Sequence, residues 1–264
     1  MDDWRGKWAV ITGASAGIGK AFAEELAAGG TNLVLTARRG DRLQEIAKKL
    51  AAQHKIRAEV CVADLTEPGA PKNIFDFSKS KGIDVELLIN NAGFGSYGEF
   101  AQDALPRLLE MVQVNCTAVV HLTRLYLPEM IARKRGDVLI VASTASFQGV
   151  PYISTYAATK AFDLIFAEGL AEEVKPHGLR VCALCPGSTT PEFHEVANQT
   201  QFAAKQKQES AEKVAHTGLE ALAAGKSYVI SGLGNYLGAN MQRVVPRRLV
   251  TRIAAGMFRP GKQQ

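Results

Sequence analysis

Three glycines in a seven-residue stretch constrain the fold of this chain more than any other feature. Gly13, Gly17 and Gly19 follow the apolar run 7–12 and precede the amphipathic stretch 20–28. The run is typical of a buried strand, and the stretch is typical of a helix. Glycines at such a junction are either plain punctuation or a turn that lets the backbone approach a pyrophosphate. The order strand, turn and helix favours a dinucleotide-binding unit, although the spacing differs from the commoner G-x-G-x-x-G.

The same alternation of strand and helix continues along the chain. Further strands are predicted at 32–37, 57–62, 85–89, 137–142, 180–184 and 227–230. Helices are predicted at 41–53 with Asp41 as N-cap, and at 71–81, 104–133, 154–173 and 210–224. The pattern predicts an α/β fold with a doubly wound parallel sheet, in a single domain over residues 1–238. From 188 to 208 the pattern loosens, and we expect either a substrate lid or a mobile surface loop.

Charge is distributed unevenly. The 264 residues carry a net charge of +5, but after Glu220 there are seven basic and no acidic residues. The first 220 residues are therefore close to neutral, which does not indicate a nucleic-acid-binding domain. The stretch 239–264 is a basic amphipathic extension, in which Met241 to Phe258 mixes apolar and basic residues. We expect it to dock on its own domain or on another subunit, ahead of a peripheral contact with an anionic membrane.

The ends and the cysteines predict a cytoplasmic protein. No apolar run reaches the ~18 residues that cross a bilayer, and the acidic start lacks a secretory signal. The four cysteines are scattered in apolar runs, as expected of buried thiols in a reducing compartment. Cys182 and Cys185 have metal-like spacing, but they lie in a predicted strand with no second pair. We therefore expect no metal site.

Two arginines at the end of the second predicted strand favour NADP(H) as cofactor. NAD-binding chains usually carry an acidic residue there, whereas this chain has Arg38 and Arg39. A guanidinium pairs with a 2′-phosphate that a carboxylate would repel. The alternative is that the arginines are solvated loop charges, more so for Arg39 than for Arg38.

Tyr156 and Lys160 are four residues apart in a predicted helix, so they lie on the same face. The ammonium beside the phenol favours the phenolate, which lowers the pKa of Tyr156. A phenol tuned in this way suits proton transfer to a ketone or from an alcohol. Taken alone, the pair also occurs by chance on surface helices.

Two other polar positions have two interpretations each, and one further segment suits a cofactor. Asp64 ends the third predicted strand and either accepts from an adenine amino group or caps the following turn. Asn115 lies among apolar residues and is either a structural hydrogen-bonding group or part of a site. The small residues of 90–93 let a backbone pass close to a cofactor.

Taken together, these motifs resemble the short-chain dehydrogenase/reductase family from about Lys7 to Gly232. The motifs that carry the resemblance are 12–19, Asp64, 90–93, Asn115, Ser143, Tyr156-Ala-Ala-Thr-Lys160 and Pro186-Gly187. The resemblance implies a seven-stranded sheet of order 3-2-1-4-5-6-7. It also implies a catalytic tetrad of Asn115, Ser143, Tyr156 and Lys160. The cofactor contacts it implies are Gly13, Ser15, Gly17, Ile18, Gly19, Arg38, Arg39, Asp64, Leu65, Asn91, Ala92, Gly93, Tyr156, Lys160, Pro186, Gly187 and Thr189.

The family's chemistry is hydride transfer between a nicotinamide and a carbonyl or alcohol carbon. The resemblance implies that Tyr156 is the general acid/base, Ser143 binds the substrate oxygen, and Lys160 lowers the Tyr156 pKa and holds the ribose. It implies that Asn115 positions a water of a proton relay, and that Ser15 and Arg38 surround the 2′-phosphate. The family is usually dimeric or tetrameric, so a homo-oligomer is expected.

One position departs from the family pattern. The threonine that commonly contacts the carboxamide is replaced by Pro191, and either Thr189 or Thr190 would substitute. More loosely, the chain is similar to 3-ketoacyl and hydroxysteroid reductases, without fixing a substrate.

Two alternatives to a soluble carbonyl reductase stay open. They are a non-catalytic NADP-binding sensor or scaffold and a membrane-associated ketoreductase of lipids. An apolar substrate pocket is expected, lined by Phe94, Tyr97, Phe147, Tyr152 and Phe193.

Overall fold

The computed structural model describes residues 3–189 and 208–260. Its core is a seven-stranded parallel sheet of order 3-2-1-4-5-6-7, which confirms the predicted topology. The strands are β1 (Trp8–Thr12), β2 (Asn32–Ala37), β3 (Ala58–Val62), β4 (Val85–Asn90), β5 (Asp137–Val141), β6 (Arg180–Cys185) and β7 (Tyr228–Ile230).

Helices cover both faces of this sheet. They are α1 (Gly17–Ala28), α2 (Gly40–His54), α3 (Ala70–Ser80), α4 (Leu105–Val112), α5 (Ala118–Arg133), α6 (Ser154–Val174), α7 (Ala211–Ala223), α8 (Leu233–Met241) and α9 (Arg247–Phe258). One buried cluster lies between the sheet and α3, α5 and α6, and a second between the sheet and α1, α2 and α7. Because both faces are covered, the strands read as near-continuous apolar runs.

Two predicted helix boundaries were wrong. Asp41 lies inside the first turn of α2. The N-cap residue is Arg39, whose side chain makes no capping hydrogen bond. The single helix predicted over 104–133 is interrupted by a π-helical turn at Gln113–Thr117. Such turns lie inside otherwise continuous helices, and this one contains no Gly or Pro that would mark an interruption in the sequence.

The topology places the candidate site. Strand β1 pairs with β2 on one side and with β4 on the other, and the chain crosses over β1 between β3 and β4. Ligands bind where the strand order reverses in this way. The carboxyl ends of β1, β4 and β5 meet there, each followed by one of the sequence motifs. At the opposite edge, Asp137 accepts bonds from Trp4 at 2.7 Å and from Arg180 at 2.7 and 2.8 Å. This buried network fixes the starts of β5 and β6.

The basic extension folds back over the carboxyl edge of the sheet. Residues 241–258 form parts of two helices, α8 and α9, which Pro246 separates at the N-cap of α9. Ala254 is buried in a cluster with Leu108, Ile153 and Tyr156, and the Tyr97 hydroxyl donates to the carbonyl of Phe258 at 2.9 Å. We call residues 233–258 the roof. Of the helices described, none is long and apolar enough to cross a membrane.

Candidate active site

A cavity of about 790 Å³ runs along the carboxyl edge of the sheet and continues beneath the roof. Its walls include every residue predicted for the tetrad and the cofactor contacts apart from Gly19, which lies just behind the wall, and Asn115, which lies behind the loop after β4. Pockets of this size hold cofactors and drug-sized ligands. The cavity therefore has room for both a dinucleotide and a substrate.

The glycine turn fits a pyrophosphate. Gly13 has a φ of +67°, and an added Cβ would lie 2.8 Å from Asn91 Nδ2. A Cβ at Gly19 would overlap the carbonyl oxygen of Gly13. Ala16, the N-cap of α1, supplies no side-chain bond to the first N–H groups of the helix. These groups and the positive end of the helix dipole face the cavity beside Gly17 and Ile18, as an anion requires.

Thr12 joins the end of β1 to the loop after β4, a role that sequence reasoning missed. Its buried hydroxyl donates to Ile89 and accepts from the N–H groups of Asn91 and Ala92, both at 2.9 Å. The Asn91 amide also donates to the carbonyl of Thr12 at 2.8 Å. The loop after β4 is therefore fixed against β1, and the signal was a hydroxyl at the end of an apolar strand.

The two arginines after β2 have different surroundings. Arg39 donates to the Ser15 hydroxyl through Nε at 3.1 Å and Nη2 at 2.9 Å. Arg38 is 69% exposed and lies 4.0 Å from Asp64. Both line the cavity. Arg39 is thus anchored beside the Ser15 turn, whereas Arg38 is largely exposed.

Asp64 performs the capping role that was its alternative interpretation. Its Oδ1 accepts from the Thr66 N–H at 3.0 Å and from the Thr66 hydroxyl at 2.9 Å. Asp64 and Leu65 nevertheless line the cavity. One carboxylate oxygen is therefore committed to the turn, and the other faces Arg38.

Ser143 is held in place by Ser146. The Ser146 hydroxyl accepts from the N–H of Ser143 at 3.2 Å and donates to the carbonyl of Lys160 at 2.7 Å. The Ser143 hydroxyl in turn accepts from Ala145 N–H at 3.1 Å. The loop after β5 is thereby bonded to α6 at the carbonyl group of Lys160. This contact sets the position of Ser143 relative to Tyr156.

Tyr156 and Lys160 lie on the buried face of α6, as predicted. Burial raises the pKa of Tyr156 above its ordinary value, while Lys160 and a hydrogen bond with Ser143 act to lower it. The effect of the ammonium has the predicted sign, but burial outweighs it in this structure. Lys160 Nζ donates to the Val141 carbonyl at 2.7 Å and to Asp163 at 3.0 Å. An ammonium has three N–H donors, so described residues leave one for a ribose hydroxyl.

Asp163 is a second charged group of this centre that sequence reasoning missed. It lies three residues after Lys160 and is fully buried, and its Oδ1 has no hydrogen-bond partner among the residues that the structure describes. Burial raises its pKa to about 6, against the opposing effect of Lys160. Its negative charge acts to raise the Tyr156 pKa. The signal was a carboxylate on the apolar face of α6, one turn beyond the lysine.

Asn115 lies in the π-helical turn and connects three segments. Its Oδ1 accepts from the Phe94 N–H at 3.1 Å. Its Nδ2 donates to the Phe94 carbonyl and to the Thr159 hydroxyl, both at 3.0 Å. Gly93 packs directly on this amide, since an added Cβ would lie 3.1 Å from Oδ1. The side chain therefore fixes the loop after β4 against α6.

Pro186, Gly187 and Thr189 line the cavity after β6. The Pro186 carbonyl accepts from Thr144 N–H at 2.9 Å, which joins this turn to the Ser143 loop. The alternative Thr190, the departure at Pro191 and most of the predicted 188–208 loop lie outside the described residues.

The predicted aromatic pocket was largely wrong. Phe94 lines the cavity, but Phe147 packs against Tyr228 instead. Tyr97 bonds to the roof, and Tyr152 lines a separate small recess. Phe193 lies outside the described residues. These rings lie near the motifs in sequence, but side chains of the roof line this part of the cavity instead.

Aliphatic side chains of the roof close the substrate end instead. The roof residues that line the cavity include Met241, Val245, Val250, Ile253, Ala254, Met257 and Phe258. Val150 and Ile153 face them from the segment before α6. Tyr156 lies at the floor of this apolar chamber. The arrangement places a proton-transfer group where an apolar ketone would be shielded from water.

The cysteines take no part in this site. Cys61, Cys182 and Cys185 are buried, and Cys116 is partly buried. Burial raises the pKa of the Cys116 and Cys182 thiols to about 12. In the part of the chain described, no group of three metal-ligating side chains occurs.

The sequence and the fold match known proteins. A family model described as short chain dehydrogenase matches residues 7–201, which excludes the roof. The chain is 36% identical over 199 residues to very-long-chain 3-oxoacyl-CoA reductase-B of Danio rerio, covering 74% of this chain. That match spans 63% of the relative's length, so this chain corresponds to about three fifths of the curated relative.

Solved structures match over more of the chain. A short-chain dehydrogenase from Sphingobium yanoikuyae in complex with NADPH has a TM-score of 0.82 and 27% identity, covering 98% of both chains. The bulky-bulky ketone specific alcohol dehydrogenase from Comamonas testosteroni has a TM-score of 0.77 and 27% identity, covering 90% of this chain and 93% of that chain.

Proposed function

Since the chain belongs to the short-chain dehydrogenase family, we propose that it is an NADP(H)-dependent oxidoreductase that interconverts an apolar ketone and its alcohol. The observation that carries the proposal is the joint placement of Tyr156, Ser143 and Lys160 in one cavity with the glycine turn. A sensor that performs no turnover does not need these three groups together.

The residues support a simple reaction scheme. A bound nicotinamide supplies hydride to the substrate carbon, or accepts it in the reverse direction. Tyr156 donates its phenolic proton to the carbonyl oxygen, which gives the alcohol. The Ser143 hydroxyl donates a hydrogen bond to the same oxygen and stabilises the developing charge. Lys160 stabilises the phenolate that remains until a proton from solvent restores the phenol.

The Ser15–Arg39 pair supports NADP(H) over NAD(H). A guanidinium fixed by two hydrogen bonds is pre-organised for a phosphate oxygen, and Arg38 adds a second positive charge at the same end of the cavity. The printed description of the Sphingobium yanoikuyae structure names NADPH for that protein. We assign the 2′-phosphate subsite to Arg39, with Arg38 beside it.

The chamber beneath the roof supports a bulky or long-chain substrate. Its walls are aliphatic, and the relatives are named for very-long-chain 3-oxoacyl thioesters and for ketones with two bulky substituents. We propose a 3-oxoacyl thioester or a ketone of similar apolar bulk. A small polar ketone would leave this chamber unfilled.

NADPH oxidation tests the proposal, with 3-oxoacyl thioesters of increasing chain length and bulky ketones as substrates. We expect turnover with NADPH, weaker turnover with NADH, and loss of turnover in Tyr156→Phe. Tyr236→Phe is the matched control, because Tyr236 is exposed outside the cavity. NADPH binding by Tyr156→Phe, measured by fluorescence, would distinguish loss of chemistry from loss of the site. Undiminished turnover in Tyr156→Phe would refute the mechanism, and NADPH binding without turnover of any substrate would favour the sensor.

We propose in addition a homodimer or homotetramer in the cytoplasm. An exposed apolar patch on α4 and α6, formed by Leu105, Leu109, Phe162 and Ile165, supports association. The unpaired, largely buried cysteines support a reducing compartment. Light scattering of the purified protein tests the first point, and a monomer at micromolar concentration would contradict it.

A further inference from the structure

Helix α9 has an exposed apolar stripe beside the one that it packs on the site. Positions 250, 254 and 258 face the cavity and the core. The next stripe, rotated by about 100°, consists of Leu249, Ile253 and Met257, whose side chains are 45% to 59% exposed. A helix that only closes the cavity needs the first stripe and not the second.

Helix α8 adds a second exposed apolar stripe. Leu233, Leu237 and Met241 are one turn apart and are 57% to 75% exposed. Val244, in the connection between the two helices, is the most exposed of the large apolar side chains at 79%. The roof therefore carries apolar side chains on its solvent side along both helices.

The charges that border these stripes have one sign. Arg243, Arg247, Arg248, Arg252 and Arg259 are all exposed, and among the described residues no carboxylate forms an ion pair with them. No acidic residue follows Glu220 anywhere in the sequence. On α9 the basic positions 248 and 252 adjoin the apolar stripe on its outer side. Apolar side chains flanked by cations suit the boundary between acyl chains and anionic headgroups.

The patch on α4 and α6 has a different character. The stretch before and within α4 carries charges of both signs, including the acidic Glu99, Asp103 and Glu110, and a further acidic residue, Glu172, lies on α6. An anionic surface would not favour that side of the molecule. Of the two apolar patches described here, only the roof has complementary charge for a membrane.

The two exposed stripes share side chains with the lining of the cavity. Met241, Ile253 and Met257 belong to the exposed stripes and also line the cavity. A surface that rested on the roof would therefore meet the entrance directly.

We propose that the roof is a docking surface for an anionic lipid bilayer, on which the molecule rests with its cavity mouth toward the acyl chains. The consequence for substrate, entry of an apolar ketone from the lipid, rests on the proposed function. Binding of the surface to lipid does not.

Vesicle sedimentation tests the proposal with the full chain and no substrate. Phosphatidylcholine vesicles with phosphatidylserine are compared with phosphatidylcholine alone, at low and high salt. The roof variant combines Leu233→Ser, Leu237→Ser and Leu249→Ser, none of which lines the cavity. The matched control combines Leu105→Ser, Leu109→Ser and Ile165→Ser on the other patch. A third variant combines Arg243→Gln, Arg248→Gln and Arg252→Gln.

We expect the unmodified protein to bind the anionic vesicles, and the roof variant to bind them at least about tenfold more weakly. The arginine variant should lose the dependence on phosphatidylserine and on salt, whereas the control should bind as the unmodified protein does. NADPH binding should be unchanged in the roof variant, which shows that it is folded. Equal vesicle binding by the roof variant and the unmodified protein would overturn the proposal. So would a roof variant that changes only the oligomeric state in light scattering, because the roof would then cover a second copy.

Discussion

Replacement of Asp163 by asparagine tests the electrostatics of the catalytic centre most directly. The carboxylate contacts Lys160 at 3.0 Å and lies seven positions after Tyr156 on the same helix. Above a pH of about 6 it is charged, because burial raises its pKa to that value. A negative charge there opposes formation of the Tyr156 phenolate. Its removal should therefore lower the pKa of Tyr156.

The size of this effect follows from the helix geometry. Seven residues separate the two groups by about 10 Å along the axis of an α-helix. At an effective dielectric constant of about 20, two unit charges at about 10 Å interact by about 2 kcal/mol. Loss of this repulsion favours the phenolate, so the Tyr156 pKa falls. Reduction requires the protonated phenol, so its rate falls as pH rises through the Tyr156 pKa.

The assay is kcat/KM for ketone reduction as a function of pH, at saturating NADPH. In Asp163→Asn we expect the alkaline limb to move to lower pH. Asp163→Glu keeps the charge and should leave the limb close to its original position. Thermal unfolding of each variant shows whether the exchange has disturbed the fold. An alkaline limb that stays in place or moves up in a folded Asp163→Asn protein would refute this reasoning.

Three further predictions concern the walls of the cavity. Gly19→Ala should weaken NADPH binding more than about tenfold, since its Cβ overlaps the Gly13 turn, whereas Gly69→Ala, which meets open space, should have no effect in the same titration. Arg39→Ala should lower the kcat/KM ratio of NADPH to NADH by about 10- to 100-fold, and Arg42→Ala on the outside of α2 should leave it unchanged. Val250→Phe should reduce kcat/KM for the bulkiest substrates at least about tenfold with NADPH affinity unaltered; an equal loss for small ketones would contradict the placement of the roof.

Local patterns predicted the frame of the site because short-range geometry determines it. The glycine turn follows from its place between strand and helix, and the Tyr156–Lys160 pair follows from the helical period. The sheet order came from the family resemblance and not from the strand patterns. These features depend on neighbours in sequence or on motifs of fixed spacing.

Other features depend on contacts between distant segments. The amphipathic pattern of α9 did not reveal which of three surfaces the helix packs on, since a core, a subunit and a membrane all select the same periodicity. Sequence alone ranked Arg38 above Arg39 for the 2′-phosphate, and it did not reveal the Arg39–Ser15 contact, because that depends on the direction of the chain after β2. The sequence did not predict Asp163, because the roles of Lys160 beside Tyr156 and the ribose already accounted for the lysine without a carboxylate partner.

The roof comes from the last helices described, whereas the proton-transfer groups come from α6 and the loop before it. The matched family region ends at residue 201, before the roof begins. On the proposed function, the segment that shapes the substrate end of the cavity is therefore separate in sequence from the proton-transfer groups. Replacement of this terminal segment would then change which ketone is admitted and leave Tyr156, Ser143 and Lys160 in place. Chains of this kind can thus diversify in substrate by exchange of α8 and α9.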